Sequence, residues 1–329
     1  MMDSKVKRIG VLTSGGDAPG MNAAVRAVVR AAVGRGVECV GIRRGWNGLI
    51  NSDFIQMDAA SVSHIIDKGG TVLYTARSRE FMHEEGRAQA LTTCKLLGLD
   101  GIVAIGGDGT FRGALALSRQ AAAQGEQLRV VGIPATIDND IGCSHYTIGF
   151  DTACNTAVEC IDKLRDTMQA HERCSVVEVM GRHAGYLALY VGIAVGATAV
   201  LIPEREVDFE NDVVEKIRRA RLSGSTHYMV VVAEGAGSAI DIVGIDPRVT
   251  VLGHIQRGGS PTARDRETAS RMGYEAVLSL IEDRGNRIIC THDGRIVDLD
   301  MEEALAMTKQ FQMDRYQVLE ALANTGGMQ

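Results

Sequence analysis

The stretch Arg8-Ile-Gly-Val-Leu-Thr-Ser-Gly-Gly-Asp-Ala-Pro-Gly20 decides the reading of the fold. Its first six residues form a short apolar run of strand length, and a glycine turn stops the run. Residues 21–33 then space their apolar side chains along one face of a helix. The same succession returns at 101–105 with a helix at 111–123, and at 130–133 with a helix at 151–165. It continues as a strand at 175–179, a helix from Ala184, a strand at 199–202, a helix at 213–220 and a strand at 227–233. Strands alternating with helices predict an α/β protein whose mainly parallel sheets are covered on both faces, with a second α/β unit after the first. Ser260-Pro261 predicts one more helix, capped by the serine, opened by the proline and closed near Gly285.

Composition narrows the class. A chain of 329 residues has room for two domains of roughly 150 residues each, and 45% hydrophobic with 23% charged residues excludes disorder. The 38 glycines exceed the usual share of about 7%. A net charge of -6 leaves no basic field, so neither nucleic acid nor an acidic membrane is expected as a partner. Seven cysteines without a C-x-x-C pair predict reduced thiols in a cytoplasmic protein, with neither zinc site nor disulfide framework. Residues 1–10 carry Asp3, Lys5, Lys7 and Arg8 and run into the glycine turn, unlike a signal peptide. Residues 184–203 are uncharged and nearly reach the ~20 residues of a membrane span. Their small residues Gly185, Gly192 and Gly196 and β-branched end instead predict a buried helix followed by a buried strand.

In an open parallel sheet, ligands bind beyond the carboxyl ends of the strands. Here Gly15-Gly16-Asp17-Ala18-Pro19-Gly20 follows the first strand, and Gly106-Gly107-Asp108-Gly109-Thr110 follows a later one, each leading into a helix. Backbone without a Cβ lets N–H groups approach phosphate oxygens, and a helix N-terminus favours negative charge. Neither loop matches the P-loop or dinucleotide fingerprint. A third strand end, Pro134-Ala-Thr136-Ile-Asp138-Asn-Asp140, adds two carboxylates to Asp108. Carboxylates beside a polyphosphate imply a bridging Mg²⁺, and one left over can accept a hydroxyl proton. Read alone, Asp138 and Asp140 are also ordinary turn or helix-capping residues. Arg182, in Met180-Gly181-Arg182, and Arg257, in Gly253-His254-Ile-Gln-Arg257-Gly-Gly-Ser-Pro261, supply guanidinium forks for phosphate, although His254 alone reads as a structural histidine.

These five motifs, in this order and over almost the whole chain, resemble the bacterial ATP-dependent 6-phosphofructokinases. The resemblance implies two doubly wound three-layer αβα domains with the active site in the cleft between them. Residues 1–149 with 256–306 would form the larger ATP and Mg²⁺ domain, and 150–255 with 307–329 the smaller sugar-phosphate domain. It further implies that Asp138 takes the proton of the 1-hydroxyl of fructose 6-phosphate, assisted by Asp140, with Thr136 at the same reacting end. Asp108 would hold Mg²⁺ within the nucleotide loop of Gly107, Asp108, Gly109 and Thr110. The Gly16 N–H, Arg77 and Arg182 would steady the transferring phosphoryl group. Met180, Gly181, Glu234, His254 and Arg257 would bind the sugar. Arg173 and Arg248 would reach the 6-phosphate from a neighbouring subunit of a homotetramer.

A related branch of this family uses diphosphate, and it carries Asp where Gly109 stands and Lys where Ala135 stands. A carboxylate at 109 would repel an α-phosphate, so Gly109 predicts ATP as donor. The alternatives are the diphosphate-dependent enzyme and a non-catalytic sugar-phosphate sensor. Trp46 lies either near the adenine or in the core. At the family's effector site Arg26, Arg30 and Arg165 match, while Ala59, Ala60, Thr198, Ser225 and Thr226 replace charged or aromatic residues. Control by ADP and phosphoenolpyruvate is therefore expected to be weak, absent or served by another ligand. The segment 235–247 is shorter than usual and lacks a surface helix after Glu234.

Overall fold

The computed structural model describes residues 6–237 and 248–323. Residues 1–5 of the N-terminal stretch and 238–247 of the shortened segment lie outside the described residues. The chain opens with β1 (Arg8–Ser14), α1 (Met21–Val33), β2 (Glu38–Ile42), α2 (Trp46–Ile50), β3 (Phe54–Met57) and α3 (Glu84–Leu97). Next come β4 (Gly101–Gly106), α4 (Asp108–Ala123), β5 (Arg129–Pro134), α5 (Phe150–His171), β6 (Cys174–Val179) and α6 (Tyr186–Ala194). Then follow β7 (Ala199–Leu201), α7 (Glu215–Leu222), β8 (Tyr228–Ala233), β9 (Arg248–Val251) and α8 (Ala263–Ile281). The last elements are β10 (Arg287–His292), β11 (Arg295–Asp300), α9 (Met301–Ala306) and α10 (Met313–Ala323).

The chain divides into two compact units. The first comprises Met1–Thr136, Ile141–Asp151 and Arg257–Lys309. Its sheet runs β11-β10-β5-β4-β1-β2-β3, parallel at every pairing except the two edge strands β3 and β11. The inner strands β1, β4 and β5 are almost wholly buried, as the apolar runs require of a sheet covered on both faces. On one face Leu12, Ile102, Phe111, Leu115, Leu117 and Val130 form a continuous core with residues of α3 and α9. On the other, α1 packs along α8 at close range: a Cβ at Gly273 would stand 2.7 Å from the Cβ of Ala27.

The second unit comprises Ile137–Asp140, Thr152–Gln256 and Gln310–Gln329. Its sheet runs β7-β8-β6-β9 with every pair parallel. Val176, Leu201, Val213, Val230 and Val232 make its core. The uncharged stretch near 184–203 is the buried helix α6 and the buried strand β7, and among the described residues no helix is long and apolar enough to cross a membrane.

Two expectations are corrected. The cap of the helix after Ser260-Pro261 is Thr262, whose side chain accepts the N–H of Asp265 at 3.3 Å. Ser260 instead donates its hydroxyl to the carbonyl of Asp67 at 2.7 Å, so the proline precedes the helix by a full residue. The helix expected to begin at 111 begins at Asp108, which puts the Gly-Asp-Gly-Thr stretch in its first turn.

Candidate active site

The glycine loop after β1 is fastened to the segment carrying Arg77. The Thr75 hydroxyl donates to the Gly15 carbonyl at 2.9 Å, the Gly15 N–H donates to the Ala76 carbonyl at 3.4 Å, and Thr13 Oγ1 donates to the Tyr74 carbonyl at 2.8 Å. Arg77 follows directly and is exposed. On the other side Arg257 donates through Nη1 to the Asp17 carbonyl at 2.9 Å. A Cβ at Gly16 would meet that same Nη1 at 2.8 Å, so glycine is what allows the guanidinium to lie against the loop. Gly16, Arg77 and Arg257 are thereby gathered at one end of β1.

The neighbouring strand β4 ends in Gly106, and α4 starts at Asp108. A Cβ built at Gly107 or Gly109 meets no atom within 4 Å, so open space faces this helix start. The Thr110 hydroxyl donates to the Ser14 carbonyl at 3.1 Å, tying the two strand ends together. The Asp108 carboxylate is about half exposed and accepts from Arg112 Nε at 2.6 Å, one turn on. That pairing was not read from the sequence, although the spacing of four residues is its signal. An exposed carboxylate beside two open glycines fits a hard cation that keeps most of its ligands from phosphate and water. Among the described residues no group of three or more ligating side chains offers a denser metal site.

Beyond β5, Ala135 bridges to Ile148 and the Thr147 hydroxyl donates to the Thr136 carbonyl at 2.7 Å, so the N-terminal end of the Thr-Ile-Asp-Asn-Asp segment is clamped in the first unit. The buried Asp265 carboxylate holds the clamp from below, accepting the Gly149 N–H at 2.7 Å and the Tyr146 hydroxyl. Burial, and then the adjacent Asp265 charge, push the Tyr146 phenol well above its ordinary pKa. Asp138 is buried, Asn139 takes a left-handed conformation (φ 51°), and Asp140 is exposed.

In the second unit the carboxyl ends of β6, β8 and β9 lie side by side. Gly181 (φ 142°) and Arg182 (φ 57°) make the turn after β6, and a Cβ at Gly181 would collide with the Ala184 carbonyl. Glu234, after β8, accepts the Arg182 N–H at 3.0 Å. Gln256, fully buried in the turn Gly253–Arg257, accepts the Met180 N–H at 2.9 Å. Gln256 is a positioning residue that sequence reading missed, because a buried amide that holds a distant N–H leaves no local pattern. Glu204 was missed as well. It follows β7 and accepts the N–H of Gly185 at 2.7 Å at the start of α6; burial raises its carboxyl above the usual range, with that hydrogen bond opposing. Beside it, burial and then the charges of Glu204 and Asp140 push the Tyr186 phenol up to about 12.

Arg173 and Arg248 are not brought to this end. Arg173 immediately precedes β6, and Arg248 opens β9 opposite Ser175. The length of β6, six residues at about 3.3 Å each, separates them from Met180, Arg182 and Glu234. Of the effector positions, Arg26 and Arg30 share one face of α1, whereas Arg165 donates to the Val195 carbonyl. Trp46 is a core residue, 4% exposed and stacked on Phe81 with ring centroids 4.5 Å apart.

Two parallel-sheet units, with glycine-opened helix starts and arginine forks at their strand ends, define a phosphate-handling α/β protein. The family model described as Phosphofructokinase matches residues 8–280, and the chain belongs to that family. A Clostridium botulinum (strain Hall) protein named ATP-dependent 6-phosphofructokinase is 49% identical over 97% of this chain and 100% of its own length. A Clostridium tetani protein of the same name gives the same identity and coverage. Among solved structures, phosphofructokinase from Saccharomyces cerevisiae superposes with TM-score 0.85 at 35% identity, covering 97% of this chain, which itself spans 47% of the yeast chain. A pyrophosphate-dependent phosphofructokinase from Marinobacter aquaeolei shares the fold, with TM-score 0.83 at 20% identity over 98% of this chain and 93% of that one.

Proposed function

We propose that this chain transfers the γ-phosphoryl group of ATP to the 1-hydroxyl of D-fructose 6-phosphate, giving fructose 1,6-bisphosphate and ADP. The observation that carries this reading is the open space at Gly109 in the first turn of α4. A donor larger than diphosphate needs that space free of a side chain and of negative charge, and the two Clostridium relatives that align end to end are named for ATP.

The first unit then serves the donor. The Gly16 N–H, Arg77 and the backbone at Gly107, Gly109 and Thr110 hold the polyphosphate, and Asp108 is the residue that would hold Mg²⁺. Bound Mg²⁺ would supply charge neutralisation on the phosphate oxygens. Arg112 shares the Asp108 carboxylate and gives way to the cation or helps to aim it. The sugar is bound through Met180, Gly181, Arg182, Glu234, His254 and Arg257. Asp138 accepts the proton of the attacking hydroxyl, Asp140 and Thr136 orient the reacting end, and Arg182 steadies the phosphoryl group in transfer. The distance of Arg173 and Arg248 from Glu234 along β6 supports their action on the 6-phosphate of a neighbouring subunit, in a cytoplasmic homotetramer.

Asp138→Asn tests the assignment. General-base catalysis contributes roughly 10²–10⁴-fold, so kcat should fall by that factor while KM for both substrates changes little. A loss of kcat below about tenfold would remove Asp138 from the role.

A further inference from the structure

Seven cysteines are reduced in the structure, and two of them touch: Cys290 Sγ donates to Cys143 Sγ at 3.3 Å, both side chains being buried. We propose that Cys143 and Cys290 form a modification site, a dithiol that hydrogen peroxide or a related peroxide converts into an intramolecular disulfide.

The backbone already holds the two residues in register. The His145 N–H donates to the Thr291 carbonyl at 2.9 Å, the Thr291 N–H to Ser144 Oγ at 3.1 Å, and the Tyr146 N–H to Thr291 Oγ1 at 3.0 Å. The sulfurs need to close only from 3.3 Å to the bond length of about 2.05 Å. Both side chains belong to the hydrophobic core of the first unit, but their chain neighbours reach the surface. His145 and Asp293 are exposed, His292 lies half-buried with its ring 4.6 Å from that of His145, and its Nε2 meets the Cys143 carbonyl at 2.9 Å.

Chemistry distinguishes Cys143 from three of the other buried thiols, and from Cys290, whose thiol its hydrogen bond to Cys143 and burial push well up. Burial pushes the Cys39 and Cys94 thiols up to about 12 and Cys174 to about 11, which leaves them inert. Cys143 moves the other way, because the hydrogen bond from Cys290 stabilises its thiolate; burial opposes this, and the Lys309 charge helps. In the proposed step Cys143, which accepts the hydrogen bond of Cys290, is the attacking thiolate. It displaces hydroxide from the peroxide to give a sulfenic acid, and the hydroxide leaves as water. The Cys290 sulfur then attacks the sulfenic sulfur, forming the S–S bond and releasing a second water with the Cys290 proton. Two thiols are oxidised and one peroxide is reduced to two waters. The inference does not depend on the reaction assigned above.

The test treats the purified full-length protein with hydrogen peroxide, blocks remaining thiols by alkylation, and maps a non-reduced digest by mass spectrometry. The expected product is a cross-linked peptide joining Cys143 to Cys290, two hydrogens lighter than the sum of its parts and released by dithiothreitol. It should be absent from Cys143→Ser and from Cys290→Ala, each checked for folding by circular dichroism. Sulfinic or sulfonic acid at either cysteine without the cross-link, or both thiols fully alkylated after treatment, would overturn the proposal, and each of these readings comes from the unsubstituted chain alone.

Discussion

The backbone N–H of Arg182 donates to Oε2 of Glu234 at 3.0 Å, so the turn after β6 is held by the residue that follows the neighbouring strand β8. Arg182 sits at φ 57°, a region that a non-glycine residue occupies at a cost. The carboxylate is what secures the turn on which the guanidinium is carried. Hydrogen bonds to charged groups contribute about 1.5–3 kcal/mol, so Glu234→Ala should lower kcat/KM for fructose 6-phosphate by roughly ten- to hundredfold. Glu234→Gln, which keeps an oxygen acceptor, should lose less. Equal losses in the two variants, measured by steady-state kinetics, would show that the contact does not position Arg182.

Glu204 gives a pH prediction with a definite sign. Burial holds its folded-state pKa above the unfolded value of about 4.3, so the folded state favours the neutral form. That contribution is fully present below about pH 4 and is lost as pH rises through the folded value. Glu204→Gln does not titrate and keeps an oxygen for the Gly185 N–H. The Tm of the variant minus that of the unsubstituted protein should therefore increase between about pH 4 and pH 7. A difference that stays constant over that range would contradict the assignment.

Control by phosphoenolpyruvate should be absent. Arg165 already donates to the Val195 carbonyl, Ala59 and Ala60 are exposed and bring no cation or ring, and Thr198 Oγ1 is taken by the Met229 N–H at 3.2 Å. Rates measured at subsaturating fructose 6-phosphate should be the same with and without phosphoenolpyruvate. Strong inhibition would mean that Arg26, Arg30 and Arg165 suffice to hold the anion.

The fold was legible where one local pattern carried it. The helix expected at 21–33 is α1 to the residue, because its apolar stripe is uninterrupted between Gly20 and Gly34. The start of α4 was hidden because Gly107, Gly109 and Thr110 have low helix propensity, and the end of α5 because residues 166–171 carry little apolar stripe beyond Met168. The short strand β9 escaped because it is a largely exposed edge. Among the candidate site residues, the strand-end glycines, carboxylates and arginines were read from their positions in the sequence. Gln256, Glu204 and Asp265 did not, since each acts on an N–H far away in sequence, at Met180, Gly185 and Gly149.

The open space at Gly109 is the point on which the functional account turns. The most direct measurement is fructose 1,6-bisphosphate formation by the purified protein with Mg²⁺ and fructose 6-phosphate, ATP and diphosphate being supplied in separate reactions, beside the same pair of assays on Gly109→Asp. The account predicts turnover with ATP alone, and loss of that turnover in the variant as a carboxylate fills the space. Turnover of the unsubstituted protein with diphosphate, or undiminished use of ATP by Gly109→Asp, would contradict it.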